Sequence, residues 1–119
     1  KRKNNDMKKV EAFIKSARLH DVIERLHEID GLTGASVFPV RGFGRSRNNI
    51  GPVHIVDSTI GSVPHVKLEV FCVDKLLDAV TTAIVESAHS GLRADGKVYV
   101  SNVDEAIRIS TGECGDSAV

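Results

Sequence analysis

The sequence has no tryptophan, a single tyrosine at Tyr99 and four phenylalanines, so aromatic residues make up only 4% of it. That composition argues against the ring-stacking platforms by which single-stranded nucleic acid is read. Neither sign of charge is in excess, because 16 Lys and Arg face 16 Asp and Glu. No overall positive field exists to draw in nucleic acid or an acidic membrane, so any anion site must be local. Cysteine is scarce. Cys72 and Cys114 lack the close spacing of a zinc or redox motif and are too few for a disulfide framework, so both read as free thiols. Cys72 is expected to be a small buried hydrophobe at a strand end, and Cys114, between Glu113 and Gly115, to be the thiol more open to oxidation. No apolar run approaches the roughly 20 residues of a membrane-spanning helix, and no apolar stretch follows a basic start as a signal peptide requires. The expectations are a cytoplasmic protein with no direct membrane insertion and no nucleic-acid partner.

What is present is ordinary globular usage, with 41% hydrophobic and 27% charged residues in 119 positions, which suits one core. Residues 1–6 carry no periodicity and read as a disordered or non-native start, and 114–119 as a flexible tail. Between them, Val10, Ala12 and Ile14 alternate with Lys9, Glu11 and Phe13 at the two-residue period of a strand. Leu19, Val22, Ile23, Leu26 and Ile29 recur at steps of three and four, giving an amphipathic helix that ends at Asp30-Gly31. Ala35 to Val40 predicts a second strand, with Pro39 confined to a sheet edge or bulge. Val66, Leu68 and Val70 alternate with Lys67, Glu69 and Phe71 as a third strand. Asp74 reads as an N-cap, followed by a second apolar stripe through Leu76, Leu77, Val80, Ala83, Ile84 and Ala88. Val98 and Val100 open a fourth strand, and Ala106 to Ile109 predicts a short extended piece. Residues 42–64, rich in Gly, Asn and Pro, form a connection too long to be merely a turn.

Strand, helix, strand, strand, helix, strand is the α+β ferredoxin-like order βαββαβ, an antiparallel sheet with two helices on one face. The other face is left open, and self-association is the simple way to cover it.

Three segments could receive an anion. Arg41-Gly42-Phe43-Gly44-Arg45 offers glycine amides beside arginines; it lacks the third glycine and following helix of a dinucleotide fingerprint. Gly91 to Lys97 joins helix to strand through two glycines and two cations, without the spacing of a Walker loop. Arg108-Ile109-Ser110-Thr111-Gly112 places an arginine before hydroxyls and a glycine. Each alone is equally consistent with a solvated turn. The five histidines do not converge on a metal, and no nucleophile and base pair can be argued from spacing, so neither a metal site nor an enzyme is expected.

Taken in order, Met7 to Lys15, Gly42 to Arg45, Pro64 to Val70, Asp95 to Val100 and Ile107 to Glu113 closely resemble the PII family of nitrogen signalling proteins. The resemblance spans Met7 to Glu113 and implies a homotrimer that binds ATP or ADP between subunits and signals through a long loop, here residues 44–63. It implies that Gly42, Gly44 and Arg45 form the loop base, that Ala94, Asp95, Gly96 and Lys97 form the phosphate loop, and that Ser36 and Phe71 flank the adenine. It further implies Glu69 near the ribose and Arg108 reaching phosphate from a neighbouring subunit.

The departures from the family pattern sharpen the expectation. Ser110 stands where a second phosphate-binding arginine is usual, which predicts a preference for ADP or AMP over ATP. Ala94 replaces a glycine. Ser46 replaces a glutamine and His65 a lysine that serve magnesium and 2-oxoglutarate, and Ser58 replaces the modified tyrosine. The resemblance to PII-like proteins of bicarbonate transport and carboxysomes implies bicarbonate as a second effector, held by Arg41, Gly44, Arg45 and Ser46. The loop residues Ile50, Val53, Ile55, Val56, Ile60 and Val63 would dock a transporter or enzyme partner. The alternatives are nitrogen sensing with ATP and 2-oxoglutarate, or a metal-responsive trimer of the same fold.

Overall fold

Met7, Val10, Ala12 and Ile14 are buried while Lys9, Glu11 and Phe13 are half-exposed, so the alternation of the first strand sorts its side chains onto two faces. The structure, a computed structural model, describes residues 6–41 and 63–119. Its elements are β1 (Met7–Lys15), α1 (Leu19–His27), β2 (Ser36–Pro39), β3 (His65–Val73), α2 (Leu77–Ala88) and β4 (Gly96–Asn102). The sheet order is β2-β3-β1-β4 and every pairing is antiparallel, the ferredoxin-like arrangement expected of this element order.

Both helices lie on one face. Val22 and Leu26 of α1, with Val80, Ala83, Ile84 and Ala88 of α2, pack on Val10, Ala12, Ile14, Leu68, Val70 and Cys72 of the two central strands. Each fully buried aliphatic side chain contributes about 1.5–3 kcal/mol, and this single cluster is the core. The helices are tied at their ends as well. Arg25 reaches Glu86 at 2.8 Å, and Arg18 donates Nε and Nη2 to the carbonyl of Ser87 at 3.0 and 2.7 Å. α2 has no basic residue in its own last turn, so Arg18 satisfies a terminal carbonyl from another element.

Pro39 stands where its missing N–H does no harm, because β2 is the edge strand. Cys72 is buried and Cys114 exposed, both free. Burial, reinforced by Asp74, pushes the Cys72 thiol above its ordinary value.

Two local expectations are corrected. Asp74 does not cap α2. Its amide donates to the carbonyl of Asp6 at 2.6 Å and its carboxylate meets Lys8 at 3.4 Å, which pins it to the start of β1. The chain pivots there through a 3-10 turn, Asp74–Leu76, and the helix begins at Leu77. Ala106 to Ile109 is no strand: only Ile107 bridges, to Cys114, within a turn closed by Arg108 N–H to the Glu113 carbonyl at 2.8 Å. Among the described residues no helix is long and apolar enough to cross a membrane.

Candidate functional site

The loop joining α2 to β4 is organised around one carboxylate. Asp95 accepts from the Ser90 amide at 2.9 Å, the Gly91 amide at 3.3 Å and the Ser90 hydroxyl. Lys15, the last residue of β1, is almost fully buried and places its ammonium 3.2 Å from Asp95 and 3.1 Å from the Ser90 hydroxyl. His89 approaches the same carboxylate at 3.4 Å. The Ser90 hydroxyl and amide, with Lys15 and the Gly91 amide behind them, hold the Asp95 carboxyl far below the usual carboxylate range against the opposing effect of burial. The side chain of Asp95 is therefore turned into its own loop, and what the loop can offer a ligand is backbone and Lys97.

The backbone that follows is forced into shape. Ala94 has φ 65, a left-handed conformation rare outside glycine. Gly96 has φ +106, and a Cβ there would lie 1.7 Å from the carbonyl oxygen of Phe13. The loop closes onto β1 with no room for a side chain, and Lys97 emerges beside Phe13 on the open face of the sheet. Backbone N–H groups in such a left-handed stretch, followed by a lysine, are the kind of groups that can receive an anion.

The open face carries a second cluster. Ser36 pairs in register with Glu69, and Glu69 lies 3.6 Å from Lys9 and 3.4 Å from Lys67. Glu11 sits between the same two lysines at 3.4 and 3.5 Å. Burial pushes its carboxyl up, but Lys9 and Lys67 outweigh that and hold it below its ordinary value. Aromatic rings border the quartet: Phe38 lies under the Lys67 ammonium at 4.8 Å, Phe13 meets Tyr99 edge-on at 6.1 Å, and Phe71 is exposed one row further along.

One chain does not bring these pieces together. Ser36 and Glu69 lie on β2 and β3, whereas Lys97 lies on β4 across β1, a span of about three strand spacings or roughly 14 Å from β2. Arg108 lies in the turn that follows β4, whose far end is about 20 Å along the strand from Gly96. There its guanidinium contacts Glu113 at 3.3 Å and the Ser117 carbonyl at 2.8 Å. Ser110 is exposed in the same turn. Arg41 is exposed just beyond β2; Gly42, Gly44, Arg45, Ser46 and Ser58 lie outside the described residues. A cleft of about 450 Å³ lies between the helices, lined by Arg25, Glu28, Asp78 and Thr82 on the other side of the sheet. No group of three His, Cys, Asp or Glu among them is placed to hold a metal ion.

Comparison with known proteins decides what this arrangement belongs to. The family model described as nitrogen regulatory protein P-II matches residues 7–113. The chain belongs to the P-II family. The nitrogen regulatory protein P-II of Haemophilus influenzae is 42% identical over 113 residues, covering 95% of this chain and all of that one. Among solved structures, Arabidopsis thaliana PII bound to citrate has 32% identity and a TM-score of 0.78, covering 98% of this chain and 94% of that one. A GlnK–ATP complex from B. subtilis has 26% identity and the same TM-score, covering 95% of each. P-II proteins are regulators of signalling rather than enzymes.

Within this P-II chain, two residues that organise the anion loop escape a reading by motif. Lys15 ends a strand and resembles its solvent-facing neighbours in sequence, and Ser90 is one hydroxyl among several. Only the packing of β1 against the loop shows that both serve Asp95.

Proposed function

We propose that the chain is a P-II regulatory protein that binds an adenine nucleotide between subunits, prefers ADP or AMP over ATP, and acts on a protein partner through residues 44–63. The observation that carries the reading is the division of the site. The anion loop at Ala94 to Lys97 leads into β4 at one edge of the sheet, Ser36 lies on β2 at the other edge with Glu69 and Phe71 on the adjacent β3, and Arg108 follows the far end of β4. A trimer, the typical assembly of the family, would supply each missing piece from a neighbouring copy.

The preference for a shorter nucleotide rests on Ser110, which stands two residues after Arg108 where the family pattern has a second arginine. A hydrogen bond from a charged group contributes about 1.5–3 kcal/mol, so a hydroxyl in that place weakens the hold on a terminal phosphate by roughly one to two orders of magnitude. Bicarbonate, beside Arg41 and the glycine amides that follow it, is the second effector of this reading. A second reading is favoured by the 42% identity to a nitrogen regulatory protein: ATP with 2-oxoglutarate, against which stand Ser46 and His65.

Calorimetric titration with ATP, ADP and AMP, each alone, with bicarbonate, and with magnesium and 2-oxoglutarate, tests both. The expected result is micromolar or tighter ADP binding, with Ser110→Arg raising ATP affinity about tenfold or more. Binding of none of the three nucleotides overturns the proposal; strong magnesium-dependent synergy between ATP and 2-oxoglutarate overturns only the choice of effectors.

A further inference from the structure

His65 opens β3 and stands opposite Lys15 in the sheet register. Its ring lies between two carbonyl oxygens, with Nδ1 2.8 Å from that of Val63 and Nε2 2.8 Å from that of Ala94. A carbonyl only accepts. A neutral imidazole has one N–H, so at one of the two contacts it would set lone pair against lone pair; the imidazolium donates at both. The two oxygens belong to separate segments. Val63 leads into β3, while Ala94 is the left-handed residue just before Asp95 and Gly96.

We propose that His65 is a positioning residue, whose doubly protonated form clasps Val63 to Ala94 and thereby orients the anion loop. The mechanism is the rigidity of the peptide plane. The carbonyl of Ala94 and the N–H of Asp95 belong to one trans peptide unit, so an imidazolium that fixes the oxygen also fixes the N–H, pointing the opposite way. Losing the proton removes one of the two donors and releases one end of the clasp.

The charged groups around the ring are Lys15 and Asp95, paired at 3.2 Å, Arg93 and Lys97 in and after the loop, and Lys67 on the same face of β3. His89 is the other imidazole beside the loop, 3.4 Å from Asp95. Only a ring carrying both protons can donate to both carbonyls, so the clasp is an acid form and loosens as pH rises.

The clasp stands on its own geometry; its effect on affinity rests on the nucleotide reading. Nuclear magnetic resonance of the full chain without nucleotide, from about pH 5 to 8, follows the Asp95 and Gly96 amides together with the histidine rings. The Asp95 amide is expected to move with the midpoint of the His65 ring, to keep doing so in His89→Gln, and to stop in His65→Gln. An Asp95 amide that ignores His65, or follows His89, overturns the proposal. In a second arm, ADP titration compares wild type with His65→Gln. The expected ratio of affinities is about three- to tenfold at the acid end, falling to near one at the alkaline end. A ratio that does not change with pH overturns the proposal. If wild type binds no ADP at any pH, the nucleotide reading fails while the resonance experiment still decides the clasp.

Discussion

Gly96→Ala tests how tightly the anion loop is bound to the central strand. A methyl group at Gly96 would fall 1.7 Å from the Phe13 carbonyl oxygen and 2.8 Å from its carbon, both backbone atoms of β1 that have no flexible end to move aside. The backbone at φ +106 is also one that L side chains rarely adopt. Strain of about 1–3 kcal/mol for the torsion and about 1–3 kcal/mol for the overpacking together give about 2–6 kcal/mol. For 119 residues the unfolding entropy is about 0.25 kcal/mol per degree, so the melting temperature should fall by roughly 8–24 °C. Gly91→Ala separates the two causes, because Gly91 also has positive φ, +80, but nothing lies within 4 Å of its Cβ position. It should lose only the torsional part, roughly 4–12 °C. Thermal unfolding followed by circular dichroism, at equal protomer concentration because association shifts the midpoint, reads both. Equal losses in the two variants, or a Gly96→Ala protein that melts with wild type, would refute the close approach of loop and strand.

Two further predictions concern the same loop. Ala94→Gly relieves a left-handed alanine, a gain of about 1–2 kcal/mol set against about 0.5–1 kcal/mol of extra unfolded-chain entropy; the melting temperature should rise, by up to roughly 6 °C, and a fall would contradict the backbone described here. Asp95→Asn strips the charge facing buried Lys15 and should cost about 2–3 kcal/mol at neutral pH in denaturant unfolding. Because the folded-state carboxyl of Asp95 titrates below its unfolded value, its stabilisation is complete above that value, roughly pH 4, and is lost as pH falls further. The difference between wild type and Asp95→Asn should therefore shrink only in the acid range, and a difference that shrinks above about pH 6 would assign the stabilisation elsewhere.

Much of the fold was legible because β1 and β3 alternate cleanly. Each central strand has one face under the helices, so Val10, Ala12 and Ile14, and Leu68 and Val70, follow the period of burial. Pro39 announced an edge for a reason independent of hydrophobicity. Asp74 misled because a residue suited to capping is equally suited to answering Lys8 across a strand pair, and only tertiary contact chooses between them. The candidate site was legible as motifs and illegible as geometry. Asp95 reads as a loop acid that could face a ligand, yet its charge is answered by Lys15 from 80 residues earlier and by Ser90. Pairings that distant in sequence leave no periodic trace. His65 reads as a missing lysine, and its two carbonyl partners could not be inferred from the strand it begins.

A nucleotide site divided as proposed, between β4 on one side and β2 with β3 on the other, would have a consequence for regulation. When no single chain holds a complete site, affinity is a property of the assembled ring, and the nucleotide and the neighbouring subunit are each other's allosteric effectors. Linkage makes the relation reciprocal: whatever factor assembly adds to nucleotide affinity, nucleotide returns to assembly. Dilution would then act as an antagonist, and saturating nucleotide would oppose dissociation without adding any contact that the subunits do not already make.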